Sequence, residues 1–239
     1  MNNRELLRSG IDSFGIDSDE LMVDRLKRYH KTLVEWNEKM NLTGIVEERE
    51  VFIKHFLDSI SAVKGGYIQD GMSLIDVGTG AGFPGIPLKV CLENIELTLL
   101  DSLNKRINFL KTVGEELELD KIEYIHGRAE DFAKEERYRE KFDIATARAV
   151  AGLPVLLELC VPYIKVGGYF VCLKGPSADM ELEESKTAMR VLGVEFTEKI
   201  DIELPELGLS HNILVFEKKS RTPGKYPRKA GKPTKNPIK

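Results

Sequence analysis

The first 65 residues place their hydrophobic positions at helical spacing. Large apolar side chains recur every three or four residues between Met22 and Met40, which lines them up along one face of a helix. This apolar stripe consists of Met22, Leu26, Tyr29, Leu33, Trp36 and Met40. A second helix is predicted over 47–63, before a Gly-Gly pair interrupts the pattern. The chain therefore begins with a helical segment.

From residue 72 onward, short apolar runs alternate with helical stretches. Strands are predicted at Ser73–Val77, Glu96–Asp101, Ile122–His126, Phe142–Thr146, Gly168–Leu173, about Glu195–Ile202, and Ile213–Glu217. Helices are predicted at Ile86–Cys91, Lys105–Leu117, Leu153–Tyr163 and Met180–Val191. This alternation indicates an α/β fold with a seven-stranded, mostly parallel sheet and helices on both faces. Only a loop, Glu203–Asn212, separates the last two strands, which favours an antiparallel terminal pair.

Three segments follow from these patterns: an N-terminal helical extension at 1–66, a Rossmann-like domain at 67–217, and a basic tail at 218–239. The tail contains nine Lys or Arg, no Asp or Glu, and four of the ten prolines. The other 217 residues carry 26 basic and 39 acidic side chains, a balance of −13, whereas the whole chain has a net charge of −4. A basic tail on an acidic body suggests a polyanionic partner. We expect the tail to be extended or disordered by itself.

Composition indicates what kind of protein this is and where it is located. Apolar residues make up 42% and charged residues 31%, as in ordinary globular proteins. No apolar stretch reaches the ~20 residues that span a bilayer, and no hydrophobic leader follows Met1, so we expect a cytoplasmic protein without a membrane anchor. Cys91, Cys160 and Cys172 lie in apolar surroundings without a CxxC pair, so we expect buried thiols and no metal site.

The strongest chemical motif is the glycine loop after the first predicted strand. Gly78, Gly80 and Gly82 follow Asp76 and precede Phe83. A phosphate-binding P-loop requires a Lys-Ser or Lys-Thr pair that this segment does not contain, and a dinucleotide site requires glycine where Phe83 stands. The GxGxG spacing is instead similar to the first motif of Rossmann-like class I methyltransferases. A glycine turn that serves packing alone is the structural alternative.

The next two strand ends supply groups that suit an adenosyl ligand. Asp101 ends the second strand about 20 residues after the loop, where a carboxylate can accept hydrogen bonds from both ribose hydroxyls. Asp101 can also cap the following helix. Ala129 and Glu130 follow the third strand, at the position where methyltransferases hold adenine, although Glu130 can equally be a solvated first-turn charge.

The fourth strand indicates which acceptor atom is methylated. It contains neither the Asn/Asp-Pro-Pro-aromatic tetrad typical of amino-group methylation nor a Pro-Cys pair for covalent carbon methylation. Guanine N7 has an in-plane lone pair and no proton to remove, so positioning alone can suffice. Arg148 at this strand end is a candidate contact to phosphate, guanine O6 or the cofactor carboxylate. A salt bridge to Glu158 or another carboxylate is its structural alternative.

The chain resembles the bacterial 16S rRNA guanine-N7 methyltransferase family (the glucose-inhibited division protein B family) nearly from end to end. The matching motifs are Trp36-Asn37-Glu38-Lys39-Met40-Asn41-Leu42-Thr43, Lys54-His55-Phe56-Leu57-Asp58-Ser59, Asp76 through Gly85, Asp101 through Arg106, Thr146 through Ala149, and the Lys225-Tyr226-Pro227-Arg228-Lys229 tail. The resemblance implies S-adenosyl-L-methionine as methyl donor and a guanine in the 530 loop of the small ribosomal subunit as acceptor. It implies cofactor contacts at Gly78, Phe83, Ala129, Glu130 and Arg148. One departure is His211, at a position where the family commonly carries Arg and which is a candidate phosphate contact.

Other functions remain open from sequence. They are a small-molecule methyltransferase with an incidental solubilising tail, a nicotinamide-dependent oxidoreductase, and an RNA-binding module with an inactive cofactor pocket. His55 and His126 are expected to serve packing or hydrogen bonding rather than catalysis. We also expect a monomer, and we expect deletion of 218–239 to weaken RNA binding while cofactor affinity stays unchanged.

Overall fold

The computed structural model describes residues 1–148, 150–204 and 210–238. Its strands are β1 (Ser73–Val77), β2 (Glu96–Asp101), β3 (Ile122–His126), β4 (Phe142–Arg148), β5 (Ile164–Lys174), β6 (Val194–Glu203) and β7 (Ser210–Lys218). Its α-helices are α1 (Asn3–Ser13), α2 (Glu20–Asn37), α3 (Glu48–Val51), α4 (Asp58–Ile60), α5 (Gly85–Cys91), α6 (Asn104–Glu116), α7 (Ala129–Phe132), α8 (Leu153–Cys160), α9 (Ala178–Glu184), α10 (Lys186–Leu192) and α11 (Lys232–Lys235).

The strands form one seven-stranded sheet in the order β3-β2-β1-β4-β5-β7-β6. The pairs among β1 to β5 are parallel, whereas β7 is antiparallel to both β5 and β6. Both the mostly parallel sheet and the antiparallel terminal pair are therefore confirmed. The strand order reverses beside β1, and in open α/β sheets ligands bind at such a switch point, outside the carboxyl ends of the strands.

Each face of the sheet is covered by its own hydrophobic cluster. Side chains alternate along β1, so that Leu74 packs with α1, α2, α5 and α6, while Ile75 packs with α8 and α10 on the other face. The predicted apolar stripe of α2 is confirmed at its centre, where Leu26, Tyr29 and Leu33 are fully buried. The N-terminal helices thus complete the core on one face of the sheet.

The second N-terminal helix is not continuous, contrary to prediction. It is divided into α3, a π-helix at Phe52–Leu57, α4 and a 3-10 turn at Ser61–Val63. The helix predicted at 180–191 is likewise two helices, because it is interrupted at Ser185. Hydrophobic spacing predicts helical residues well but does not distinguish a π-turn from an α-turn, since both keep apolar residues on one side.

The basic tail packs against the folded domain, and the expectation that it is extended or disordered by itself stays a prediction about the isolated segment. Residues 218–238, called the C-terminal strap below, run across the face formed by α7, α8 and α10. Lys218 is fully buried, and its ammonium donates to Glu140 (2.8 Å) and to the carbonyls of Val161 and Ile164. Arg228 makes a bidentate ion pair with the fully buried Glu158. The strap has little apolar surface to bury, and it is held on the domain by these ion pairs and by buried prolines.

Within the described residues, no helix combines the length and hydrophobicity needed to cross a membrane. The same residues contain no cluster of three or more His, Cys, Asp or Glu side chains suited to a metal ion.

Candidate active site

A cavity of about 500 Å³ opens at the carboxyl ends of β1 to β4. This volume falls in the range of small-molecule and cofactor sites. The predicted site residues Gly78, Gly80, Phe83, Asp101, Ala129, Glu130 and Arg148 all line it. The structure thus brings residues from four strand ends into one cavity, as the parallel sheet predicts.

Gly82 is the predicted site residue that does not line the cavity. Its φ is +95°, and a Cβ added there would lie 2.5 Å from the Tyr29 hydroxyl oxygen and 2.8 Å from a side-chain carbon of Ile86. Tyr29 of α2 also donates a hydrogen bond to the carbonyl of Ala81 in the same loop. Gly82 therefore allows the N-terminal helices to approach the glycine loop closely.

Asp76 supports the glycine loop from beneath. Its Oδ2 accepts hydrogen bonds from the Thr79 hydroxyl (2.7 Å) and the Gly85 amide (2.9 Å). Its Oδ1 has no partner among the described residues, and the same holds for the buried hydroxyl of Thr146, its register partner on β4. Burial raises the pKa of Asp76 to about 6, although the two hydrogen bonds and Arg148 oppose that rise.

Asp101 lies at the rim of the cavity with 3% of its surface exposed. Its Oδ2 accepts from the Gly80 amide (2.9 Å) and contacts Arg106 at 3.3 Å, while its Oδ1 accepts from the Leu103 amide (2.8 Å). The capping alternative is not confirmed, because no side chain caps the start of α6 at Leu103. The carboxylate also joins the glycine loop to the end of β2, where the ribose role was predicted.

The C-terminal strap forms part of the cavity wall, which no sequence signal indicated. Thr234 lines the cavity, and the Gly231 amide donates to Glu130 Oε1 at 2.9 Å. Glu130 is buried, so the alternative of a solvated helix charge is wrong. One oxygen of Glu130 accepts from the strap, while the side chain lines the cavity.

Arg148 lies at the β4 end of the cavity. Its guanidinium is centred 4.7 Å from the Phe83 ring, and its Nη1 donates to Asp58 at 2.6 Å. The structural alternative, a salt bridge to Glu158 or another carboxylate, is therefore confirmed with Asp58 as the partner, since Glu158 is bound to Arg228. Arg148 is thus held by the N-terminal helices, through a carboxylate that sequence reasoning did not assign to the site.

The histidines have the packing and hydrogen-bonding contacts that were expected. The His55 ring stacks on Phe83 with centroids 4.8 Å apart, and its Nε2 lies 2.8 Å from the Thr43 hydroxyl. Burial, and secondarily Arg148, lowers the pKa of His55 to about 4, so the ring is neutral at pH 7. His126 is exposed and contacts the Ser102 carbonyl at 3.2 Å.

His211 is turned inward rather than toward solvent. Its Nδ1 lies 3.0 Å from Asp58 Oδ1, and 12% of its side chain is exposed. Burial lowers the pKa of His211, while the Asp58 carboxylate opposes the change. The sequence left open whether this position contacts phosphate, and in the folded chain the ring faces Asp58.

The residues of the cavity fit S-adenosyl-L-methionine. An added Cβ at Gly80 would meet only the Gly78 carbonyl, at 3.9 Å, so this glycine leaves its side of the cavity free for a ligand. Asp101 and Glu130 offer acceptors for hydroxyl and amino groups at neighbouring strand ends. Together with the sheet order, this site defines the class of Rossmann-like, S-adenosylmethionine-dependent methyltransferases.

Comparison with known proteins identifies the family within that class. The family model described as rRNA small subunit methyltransferase G matches residues 22–203. The chain is 52% identical over 239 residues to the "Ribosomal RNA small subunit methyltransferase G" of Alkaliphilus oremlandii, covering 100% of both chains. It is 50% identical to that of Bacillus cereus over 236 residues, covering 99% of both. The chain belongs to the rRNA small subunit methyltransferase G family.

Solved structures at low identity support the fold. TrmN from Thermus thermophilus superposes with a TM-score of 0.52 at 16% identity, covering 70% of this chain and 53% of that one. MtNAS, solved with MTA and tNA, superposes with a TM-score of 0.54 at 14% identity, covering 91% and 76%. These similarities confirm the Rossmann-like methyltransferase fold and say nothing of substrate.

Proposed function

We propose that the chain transfers a methyl group from S-adenosyl-L-methionine to N7 of a guanine in the 530 loop of 16S rRNA. The observation that carries the choice of atom is that the carboxylate and histidine side chains lining the cavity already have hydrogen-bond partners. Asp101 accepts from two backbone amides, Glu130 accepts from an amide of the strap, and His55 contacts the Thr43 hydroxyl. The bound cofactor supplies an electrophilic methyl group on a sulfonium. Guanine N7 can attack such a group without losing a proton, so the protein has to align the base and exclude water.

The acidic and basic groups near the cavity support this choice. Asp58 is engaged by Arg148 and His211, and Asp76 lies beneath the glycine loop. His55 is neutral but is held by stacking on Phe83. None of these groups is placed as a free general base, which methylation of a protonated nitrogen or hydroxyl would favour.

The cysteines argue against carbon methylation through a covalent intermediate. Cys91, Cys160 and Cys172 are buried, and none of them lines the cavity. Burial raises the pKa of Cys91 and of Cys172 to about 12, and that of Cys160 well above its usual value. A thiol that stays protonated and enclosed cannot attack a pyrimidine ring.

Charge near the cavity supports RNA as the substrate rather than a small metabolite. Lys232 and Lys235 belong to α11, the short helix that brings Thr234 to the cavity wall. Both lysines are exposed, and neither they nor Arg128 of the cavity lining makes an ion pair with a described residue. Cations beside a cofactor site can bind the phosphates that flank a target base. We further propose that the enzyme acts as a monomer in the cytoplasm, on the 30S subunit.

The deciding experiment combines methyl-labelled cofactor with 30S subunits, free 16S rRNA or a metabolite extract, all from a strain lacking this protein. We expect label on one guanine of the 530 loop, at a position that becomes sensitive to the strand scission specific to 7-methylguanine. NAD, tested by titration, should not bind. Label confined to metabolites, or to a different atom of the RNA, would contradict the proposal.

A further inference from the structure

The motif at residues 54–59 forms an unusual helical turn beside the active site. Phe52–Leu57 is a π-helix, a rare kind of turn that occurs frequently at functional sites. The carbonyls of Lys54 and His55 lie 3.3 and 3.4 Å from Arg148 Nη1, with geometry that lets them accept its hydrogen bonds. Arg148 is 90 residues or more away in sequence, so the turn brings the N-terminal helices to the end of β4.

Asp58 completes the contacts around this guanidinium. Its Oδ2 accepts from Arg148 Nη1 at 2.6 Å, and the two side chains are only 13% and 14% exposed. Arg148 Nη2 lies 3.4 Å from His55 Nδ1, and the guanidinium packs over Phe83. The arginine is therefore held from several directions while it still lines the cavity.

The carboxylate of Asp58, which holds Arg148, also contacts β7. His211 of β7 lies 3.0 Å from Asp58 Oδ1, and its Nε2 lies 3.1 Å from the Ser61 hydroxyl. Ser61 in turn donates to the Asp58 carbonyl at 2.6 Å. Asp58 thus has one oxygen in an ion pair with Arg148 and the other in close contact with His211 of β7, a contact that lacks hydrogen-bond geometry.

We propose that residues 54–58, with His211 behind them, form an arginine clamp that orients Arg148 toward the ligand, and that Asp58 is a positioning residue for methyl transfer. A free arginine must lose side-chain freedom when a ligand binds, whereas a clamped arginine has lost it on folding. The ion pair also offsets the positive charge of Arg148 at the end of the site where methylation makes the base cationic. The inference rests on the proposed function, because it assigns Arg148 a role in that site.

The chemistry that Arg148 would recognise is an acceptor oxygen. Nη1 is occupied by Asp58 and the helix carbonyls, and Nε has no partner among the described residues. The oxygen belongs to the carboxylate of the cofactor or to O6 of the guanine, and the two sources differ in what they predict. A contact to the cofactor changes its dissociation constant, whereas a contact to the base changes kcat.

The test is a double-mutant cycle of Asp58→Asn and Arg148→Met, with cofactor titration and methylation of 30S subunits as readouts. We expect each single variant to lose at least ~10-fold in the same parameter, because small displacements of a positioning group have large effects on rate. The double variant should be no worse than Arg148→Met alone, since Asp58 acts through Arg148. Fully additive losses would overturn the clamp.

The matched control is Asp143→Asn, which breaks a carboxylate–cation pair with Lys165 at the amino end of β4, away from the cavity. It should lower thermal stability as Asp58→Asn does, but it should keep both readouts within about two-fold of the original protein. Asp58→Asn behaving like this control would overturn the proposal. Should Asp58→Asn fail to fold, His211→Gln replaces it: an intermediate loss supports the clamp, and unchanged parameters contradict it.

A direct measurement tests the arginine clamp independently of methyl transfer. The Nη1 protons of Arg148, which donate to Asp58 and to the helix carbonyls, should exchange slowly with water in the original protein and fast in Asp58→Asn. Their signals are assigned by their loss from the NMR spectrum of Arg148→Met. Failure of the original protein to methylate rRNA would contradict the proposed function, and the exchange rates would still decide the clamp. Equal rates in the two proteins would overturn it.

Discussion

At the scale of single residues, two buried groups near the cavity respond to pH in opposite directions. The pKa of Asp76 is raised to about 6 and that of His55 is lowered to about 4, in both cases mainly by burial. Between these values, the folded protein takes up a proton at Asp76 that the unfolded chain has released. At His55 the unfolded chain binds a proton that the folded protein does not bind. Their contributions to the pH dependence of stability therefore partly cancel.

Replacing Asp76 with Asn should reveal how much Asp76 contributes to the pH dependence of stability. Because the folded pKa of Asp76 lies above the unfolded one, its contribution to stability is largest below pH 4 and is lost as pH rises through about 6. Asn does not titrate, so the free energy of unfolding of Asp76→Asn relative to the original protein should rise by roughly 1–3 kcal/mol from pH 4 to pH 8. His55 affects both proteins equally. Urea denaturation at several pH values measures this, and a difference independent of pH would refute it.

Asp101→Ala should weaken cofactor binding by ~1–3 kcal/mol, since hydrogen bonds to a carboxylate are lost. The bonds from Gly80 and Leu103 make part of this loss indirect, through the position of the glycine loop. Isothermal titration with S-adenosyl-L-methionine measures the effect. Asp131→Ala is the control, because Asp131 is exposed on α7 and does not line the cavity. Equal affinities in the two variants would remove Asp101 from the site.

At the scale of elements, the sequence predicted every strand but not every boundary. Leu74 to Val77 and Leu97 to Leu100 are continuous apolar runs around Asp76 and Thr98, which parallel strands buried on both faces require. Asp101 and Glu130 could be placed at strand ends for the same reason. Asp58 could not, because its partner Arg148 lies 90 positions away and local patterns carry no information about such pairs.

The contact between α2 and the glycine loop can be tested with a pair of glycines. Gly82 and Gly71 both have positive φ, +95° and +83°, but only at Gly82 would a Cβ collide with neighbours. Ala costs backbone strain at both positions, so the difference between Gly82→Ala and Gly71→Ala isolates the collision. We expect Gly82→Ala to be less stable by roughly 1–3 kcal/mol and to bind the cofactor more weakly. Equal melting temperatures would contradict this packing.

At the scale of the whole molecule, the strap joins two ends of the sheet. It leaves β7 at Lys218, beside Glu140 and the start of β5, and reaches the cavity on the opposite edge at Thr234. Composition alone identified it as basic and proline-rich, which is typical of a disordered segment. Its order depends on Glu158 and Glu140, carboxylates of the folded domain that no property of the tail itself could indicate.

Removing the charges of the strap and removing the strap should have different effects. Replacing Lys229, Lys232 and Lys235 with Gln should weaken RNA binding and flatten its dependence on the logarithm of salt concentration by up to about 2–3, with cofactor affinity unchanged. All three lysines are exposed. Filter binding at several salt concentrations measures this. An unaltered slope would exclude the strap from the RNA interface.

Deleting 228–239 should instead reduce both stability and cofactor affinity, contrary to the expectation from sequence. Glu158 would lose its bidentate partner while fully buried, which costs about 3–5 kcal/mol. Glu130 would lose the Gly231 amide and the cavity would lose Thr234. Adding Glu158→Leu to the truncated chain should restore part of the stability but not the cofactor affinity. Full affinity in the truncated chain would show that the strap is not part of the cofactor site.

The π-helix at Phe52–Leu57 makes the protein sensitive to the exact number of residues in this segment. Such a turn holds one residue more than an α-turn, so loss of a single codon there would allow an ordinary helix to form. The remainder of the segment would rotate by about 100° relative to what precedes it. Asp58 would then face away from Arg148, and the buried Ile60 and Ala62 would turn out of the core. The absence of one amino acid would therefore impair both the reaction and the packing of the N-terminal helices.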